Sequence, residues 1–414
     1  MYQRLLNQLL TGLISLTLLI QTYAIPSHPH ANFLPNPNLH PPRQKETTYR
    51  IPSKIQTGTA TARFNIASPN KTLSDTSILA LDSPQISKVT STSFDWWYFD
   101  AVSTTTPAES LTIILFTSAA SAFPWLDSSE SSVLIAYLWA AFANGSVFQE
   151  YVPAKLAVVE EGPAGKGSGA WDGSGFQWVA GDEDSKYSVV VASEEMGVYG
   201  RFSLSSQHKP HLPCGIQEST STLEIMPDIG WASLVPDALA TVDMNIKGST
   251  LSFQGRGYHD KNWSNLPFTE SVQNWYWGHG RIGDYSIVWF SAIAMDNITY
   301  TSSYVARDDQ VLVSSCDTTL LTVRPVSGNV TSNPTGGRYP PQAGDIPDGF
   351  TIEASLGEEG WLKVNITIVT LVTGDGEYYM RWSGELVGSV VDTEGMVTDA
   401  GSGVAVFEQF ALVE

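Results

Sequence analysis

Three short stretches concentrate the side chains that could do chemistry. The first runs Ser93, Phe94, Asp95, Trp96, Trp97, Tyr98, Phe99, Asp100. On a strand alternate residues share a face, so Asp95, Trp97 and Phe99 point one way and Trp96, Tyr98 and Asp100 the other. Neither face is purely apolar. Indole mixed with carboxylate suits a cavity that holds an apolar molecule and hydrogen-bonds it at one or two points; a core strand whose acids close its turns has the same composition. The second stretch, Gly255 to Trp263, carries Tyr258, His259, Asp260, Lys261 and Asn262 in succession. His259, Asp260, Lys261 and Asn262 are all potential donors or acid–base groups, and the competing reading is a His–Asp pair that locks a turn. A metal site fits poorly, because adjacent His259 and Asp260 face opposite ways on a strand. The third stretch, Asn274 to Arg281, places Trp275, Trp277 and His279 on one face with Tyr276 opposite. His279 and Arg281 would be expensive to bury without partners, which favours a cavity lining over plain core. A weaker fourth group is Tyr378, Tyr379, Met380, Arg381 and Trp382.

Several common chemistries lack their motifs. There is no G-x-S-x-G, no G-x-G-x-x-G opening a helix, no P-loop and no H-E-x-x-H. Among 414 residues, 42 acidic side chains against 22 Lys and Arg give a net charge of −20. Phosphate binding draws on clustered cations, so this balance argues against a nucleic-acid partner. What remains is an enzyme without a cofactor, or a carrier of apolar small molecules.

The elements that must position these groups read as β-structure. Leu111 to Phe116 and Val133 to Ala143 are apolar runs; the second turns at Asn144-Gly145 and resumes at Ser146 to Tyr151, a strong hairpin signal. Tyr187 to Val191 and Gly200 to Leu204 continue a meander after a Gly-rich separator, Gly162 to Gly175. Ala240 to Ile246 and Ser249 to Gln254 form a second hairpin across Lys247-Gly248. Tyr285 to Met295, Thr299 to Ala306, Trp361 to Thr373 and Glu377 to Val391 complete the pattern, with a long loop from Pro334 to Pro347. No 15-residue window shows a convincing amphipathic helix face. Short strands in two stretches suggest two β-units.

The first residues read as a secretory signal: Arg4, an apolar stretch from Leu9 to Ile20, then a small-residue cleavage site ending at Ala24. A membrane anchor needs roughly 20 apolar residues, and Asn7, Gln8 and Thr11 interrupt this one; no later stretch would span a bilayer. The expected organisation is a signal peptide at 1–24, a flexible Pro/His/Asn-rich leader at 25–60, one β-domain at 61–235 and a second at 236–414. Six N-x-[ST] sequons fit the secretory route: Asn70, Asn144, Asn262, Asn297, Asn329 and Asn365. The two cysteines, Cys214 and Cys316, are expected to pair there. The final compartment, secreted or in a vesicle or vacuole lumen, stays open. The chain is expected to be a monomer.

Taken together, D-W-W-Y at Asp95–Tyr98, G-Y-H-D-x-N-W at Gly257–Trp263 and W-x-W-G at Trp275–Gly278 resemble the carotenoid 1,2-hydratase (hydroxyneurosporene synthase)-like superfamily, and within it the fungal Diels–Alderases. The resemblance runs from about residue 60 onward. It implies an all-β protein, a β-sandwich-like N-terminal domain followed by a lipocalin-like barrel, with the ligand in a pocket between them. It implies no cofactor. The implied activity is an intramolecular [4+2] cycloaddition on a linear polyene joined to a tetramate or pyrrolone, giving a decalin or a cytochalasan-type isoindolone. Such a reaction needs positioning, worth about 7–11 kcal/mol at most, and hydrogen bonds that polarise the activating carbonyl. The expected walls are Trp97, Tyr98, Tyr258, Trp275, Trp277 and Trp382; the expected polar anchors are Asp95, His259, Asn262 and Arg281. Ser264 follows Asn262-Trp263 where the family often has Gly. This makes Asn262 a sequon, and Asn262 is expected to stay bare because a middle Trp makes sequons inefficient. Two rivals stand: an alkene hydratase or isomerase in which Asp95 or Asp260 donates a proton, and a non-catalytic carrier.

Overall fold

The computed structural model describes residues 47–67, 81–162, 166–181, 186–216, 220–308, 310–328, 330 and 335–413. The expected signal peptide, most of the leader, and the sequons at Asn70 and Asn329 lie outside them. The described chain is almost entirely antiparallel β-structure, with one helical turn at Phe268–Ser271 and a short 3-10 turn at Gly357–Glu359. It forms two large sheets.

The first sheet has 13 strands. Its centre holds Val198–Ser206, Ile229–Ile246, Ser249–Ser264, Phe94–Ser103, Ser110–Ser118 and Leu134–Ala141, side by side in that order. Two chain-distant stretches are thereby zipped together: Ser249–Ser264 pairs with Phe94–Ser103 so that Tyr98 lies opposite Asp260 and Trp96 opposite Asn262. The second sheet has ten strands, among them Tyr285–Ala294, Val272–Ile282, Val397–Ala411, Tyr379–Val391 and Trp361–Gly374 in that order. Here Trp277 lies opposite Glu408, and Glu408 opposite Arg381. Because side chains alternate along a strand, each such cross-strand row points to one face of its sheet.

Both sheets curl. One face of the first closes on a core of its own, containing Trp97, Trp171, Trp178 and Trp263; one face of the second closes on Tyr276, Trp289, Trp382 and Phe407. The remaining faces meet in a third, aromatic cluster that includes Trp96, Tyr98, Phe123, Tyr258, Trp275 and Trp277. The all-β expectation of two curled units with a shared interior is what the chain adopts.

Some boundaries differ from the sequence reading. The first sheet continues through Ser264, so a division at 235/236 falls inside the strand Ile229–Ile246; the chain changes sheets between Ser264 and Val272. The expected leader contains a strand, Thr47–Pro52, paired with Leu156–Glu161. The Gly-rich separator contributes Gly167–Asp172, where Gly169 leaves room for Trp178: an added Cβ would stand 2.2 Å from its indole nitrogen. Composition hid that strand. Both hairpins form as expected, and at Lys247-Gly248 the two turn residues take φ of 49° and 87°, as a tight two-residue turn requires.

Candidate active site

Between the facing rows lies a cavity of about 390 Å³. Its aromatic walls come from both sheets: Trp96, Tyr98, Phe116 and Tyr137 from the first, Trp275, Trp277, Phe290 and Phe410 from the second, with Trp125 from the loop after Ser118. Tyr98 and Trp277 meet edge to face across the junction, ring centroids 5.4 Å apart. Trp275 is wedged between Phe290 and Phe410, each at 4.9 Å. Such contacts lock the rings as rigid walls.

Polar side chains interrupt this lining, among them Asp127, Gln149, Glu150 and Asp375, and two buried groups stand out. The first is Asp260, fully buried, whose Oδ2 accepts from Trp231 Nε1 at 2.8 Å and from the Tyr258 hydroxyl at 3.0 Å. Its Oδ1 has no partner in the protein. Burial pushes this carboxyl up to about 8, against the two donated hydrogen bonds that favour its charged form, while the charge of Glu408 adds to the rise. Burial thus favours the protonated form of Asp260, with Oδ2 engaged as an acceptor and Oδ1 without a protein partner. The next residue on the same strand face, Asn262, also lines the cavity and donates to the Gly230 carbonyl at 3.4 Å.

The second polar group is an ion pair on the other sheet. Arg381 binds Glu408, and its Nε donates to the Tyr379 hydroxyl at 2.8 Å; its Nη1 donates to the Tyr98 hydroxyl. Glu408 also accepts from Trp275 Nε1 at 3.1 Å and from the Tyr379 hydroxyl at 3.0 Å. The guanidinium lies over the Tyr98 ring at 4.5 Å and near Trp277 at 5.4 Å. Burial works against its charge, but Glu408 and the hydroxyls of Tyr379 and Tyr98 outweigh it and hold Arg381 well above its usual range. Behind this pair, Tyr98 donates to Asp100, and His279 Nε2 sits 2.8 Å from Asp100 Oδ1, so polar contacts stitch the two sheets beneath the cavity.

The structure brings together Tyr98, Asn262, Trp275 and Trp277 from the sequence-derived set. Tyr258 stands behind them, its hydroxyl on Asp260 and its ring 5.2 Å from Trp277. It sets the others apart. Trp97 faces the first sheet's own core, edge to face with Trp171 at 5.1 Å, because strand alternation sends its neighbour Trp96 to the cavity instead. Asp95 is on that same inner face, 2.9 Å from Lys261 Nζ, with both side chains wholly buried. His259 stacks on Phe99 at 3.9 Å and bridges the Tyr98 carbonyl and Asp82; it locks backbone, with Asp82 rather than Asp260 as its acid. Trp382 belongs to the second sheet's core beside Phe350 and Phe407. Arg281 lies at the far end of its strand, bound to Asp237 at 2.9 Å. The groups that sequence reasoning passed over are Trp96, visible as the alternate face of its stretch; Arg381, visible only in the weak fourth group; and Glu408, which has no local signal at all. Of the described sequons, Asn144 and Asn297 are exposed and Asn365 is half-buried, whereas Asn262, expected to stay bare, is 5% exposed. Cys214 and Cys316 form a disulfide, as an oxidising compartment would allow.

The family model described as Diels-Alderase-like matches residues 53–325. The chain belongs to the Diels-Alderase-like family. A quinolone epoxide rearrangement protein of Emericella nidulans is 35% identical over 291 residues, 69% of this chain and 76% of the relative. A second protein of that description, from Penicillium thymicola, is 34% identical over 69% of this chain and 78% of its own length. A Diels-Alderase of Acremonium sp is 24% identical over 54% of this chain and 56% of its own. Among solved structures, CghA with Sch210972 superposes with a TM-score of 0.67 at 16% identity, covering 88% of this chain and 99% of that one; at that identity the likeness concerns the fold.

Proposed function

We propose that this protein is a cofactor-independent isomerase acting on a neutral, largely apolar small molecule, with Asp260 as the general acid that opens an epoxide. The observation that carries the reading is a buried carboxyl on the wall of an aromatic cavity, its Oδ1 without a protein partner and its affinity for a proton raised by that burial. In the step envisaged, the Asp260 O–H transfers its proton to the epoxide oxygen as one C–O bond breaks. A neighbouring hydrogen or carbon migrates with its bonding pair to the cationic carbon. The oxygen becomes a carbonyl and its proton returns to Asp260, so no atom is gained or lost. The electron-rich faces of Tyr98, Trp96 and Trp277 suit the passing positive charge. Two relatives at 34–35% identity carry the description quinolone epoxide rearrangement protein, which supports the same chemistry.

A second reading is an intramolecular [4+2] cycloaddition of a linear polyene–tetramate or polyene–pyrrolone, giving a decalin or isoindolone. The family membership and the rigid aromatic mould favour it. There the walls would bend the chain, and Asp260 or Arg381 would hydrogen-bond the activating carbonyl.

One experiment separates the readings. Purified protein is incubated with an epoxide or a linear polyene, and product mass, ring connectivity and rate are followed from pH 6 to 9.5. Acid catalysis predicts an unchanged mass, a kcat/KM that falls as pH rises through about 8, and a loss of about 100-fold to 10,000-fold in Asp260→Asn. A flat pH profile with active Asp260→Asn would exclude that role and leave the cycloaddition. A product heavier by one water would mark a hydratase, and unchanged ligand a carrier.

A further inference from the structure

The aromatic cavity takes up one end of the junction between the sheets. Along Ser249–Ser264, alternate residues Asn262, Asp260, Tyr258 and Arg256 share one strand face; along Val272–Ile282, Trp275, Trp277, His279 and Arg281 do the same. The first two residues of each row line the cavity. The next in each row, Tyr258 and His279, stack with ring centroids 4.6 Å apart and planes 15° from parallel. Beyond that layer Arg256 and Arg281 line a separate groove of about 420 Å³, which shares no lining residue with the cavity.

Both guanidinium groups approach one carboxylate. Buried Asp237 has its Oδ2 2.9 Å from Arg281 Nη1 and 3.9 Å from Arg256 Nη1, and accepts there from the Ser286 hydroxyl at 2.6 Å. His208 Nε2 lies 3.0 Å from that hydroxyl and 4.0 Å from the same Oδ2. Two arginines sharing one close acid leave a positive charge unmatched. The groove's other acid, Glu385, is exposed and pairs with neither arginine among the described residues.

Hydrogen-bond donors are left over as well. Arg256 donates no hydrogen bond to any described residue. Arg281 spends Nη1 on Asp237 and Ser286 and Nε on the Gly283 carbonyl, and leaves Nη2 unused. The two side chains are 21% and 18% exposed, and neither has a nitrogen that is at once buried and unpaired. The unused donors therefore meet solvent. Burial pulls the Arg256 guanidinium below its usual range; Asp237 offsets this in part, and the Arg281 charge adds to it.

A bound anion would supply what is missing. A carboxylate carries one negative charge, and its two oxygens match the fork of a guanidinium. A phosphate monoester carries nearly two, which would leave the groove net negative beside Glu385, on a chain of net charge −20. Pro107, Val387 and Val404 give the groove an apolar side for the rest of the molecule. We infer that Arg256 and Arg281 form a second binding site, across the Tyr258–His279 layer from the aromatic cavity, for a small organic monocarboxylate. The site does not depend on which reaction the cavity performs.

Fluorine NMR titrations at low ionic strength test this with three probes: 4-fluorobenzoate, 4-fluorobenzamide and 4-fluorophenyl phosphate. The benzoate should bind at least about 10-fold tighter than the neutral amide, as hydrogen bonds to a charged group imply, and tighter than the phosphate. Equal affinity for benzoate and amide would overturn the site. Tighter binding of the phosphate would overturn the carboxylate assignment. Arg256→Gln removes no hydrogen bond within the protein, and should weaken benzoate binding at least about 10-fold with native near-ultraviolet circular dichroism. Undiminished affinity in that variant would place the probe elsewhere and overturn the proposal. Trp139→Ala, in the wall of the aromatic cavity, should leave benzoate affinity unchanged; a matching loss there would assign the probe to the cavity and overturn it too. Should Arg256→Gln fail to fold, Glu385→Gln at its exposed position gives a second readout. Loss of that repelling charge should tighten benzoate binding about 2-fold or more, and an unchanged affinity would count against the groove in the same way.

Discussion

Asp95 and Lys261 show how one residue's role turns on which way it faces. Both are charged, both wholly buried, and they stand 2.9 Å apart on the side of the sheet that faces away from the cavity. Lys261 also donates to the Ser83 carbonyl at 3.0 Å and lies 3.4 Å over the Trp97 ring, while Asp95 accepts from the Gln85 backbone. Deleting one partner of such a pair strands the other charge in the interior, at a cost of about 3–5 kcal/mol. Asp95→Ala is therefore expected to lower the unfolding free energy by that amount in urea, with kcat/KM for the epoxide unchanged under conditions where the protein stays folded. A large loss of activity in folded protein would return Asp95 to the site. Two residues along, Trp97 follows the same logic. The stretch around it announces a wall, and strand alternation was legible, but which of its two faces looks into a hollow was not, since both carry indole.

At the scale of the element, the decisive device is the cross-strand row. The strand Val272–Ile282 lies between Tyr285–Ala294 and Val397–Ala411, which brings Trp277 beside Phe290 on one side and Glu408 on the other. Gly278 makes that placement possible. A Cβ there would come within 2.3 Å of the Trp289 indole and 2.6 Å of Phe407 Cβ, so the glycine is the space into which the second sheet's core packs. Gly278→Ala should cost about 1–3 kcal/mol through overpacking and shift Trp277 on the opposite face. Differential scanning calorimetry should register the loss, and the near-ultraviolet circular dichroism of the indoles should change with it. A wild-type melting temperature would show that the core can yield. Strand existence and both tight hairpins were readable from turn residues and apolar alternation. The strand within the Gly-rich segment was not, because there glycine serves the packing of Trp178 rather than a turn.

For the whole molecule, stability and the cavity share the contacts that cross from sheet to sheet. Arg381 reaches Tyr98, His279 reaches Asp100, Gln149 donates to the Val372 carbonyl at 2.9 Å and Trp125 donates to Asp375 at 3.1 Å. The Cys214–Cys316 disulfide adds a covalent tie across 102 residues, from the segment after the first sheet's meander to the end of Gln310–Ser315 at the edge of the second. In the loop-entropy model a closure of that length stabilises by about 4.7 kcal/mol. Removing it as the double variant Cys214→Ser, Cys316→Ser should lower the midpoint of urea unfolding correspondingly. An unchanged midpoint would mean that the reduced, unfolded chain is already held compact.

The residue order by itself determined the β-class, the hairpin turns, the family resemblance and the three aromatic-polar stretches, because these depend on local alternation, turn chemistry and side-chain type. Only the tertiary structure decided that Asp260 rather than Asp95 lines the cavity, that Trp96 replaces Trp97 as a wall, and that Glu408 and Arg381 complete the polar end. Those outcomes follow from strand register and from which sheet faces are left to meet, and both are set by pairings between residues as much as a few hundred positions apart. The Asp260 carboxyl is pushed toward its protonated form by burial that no neighbour in sequence supplies.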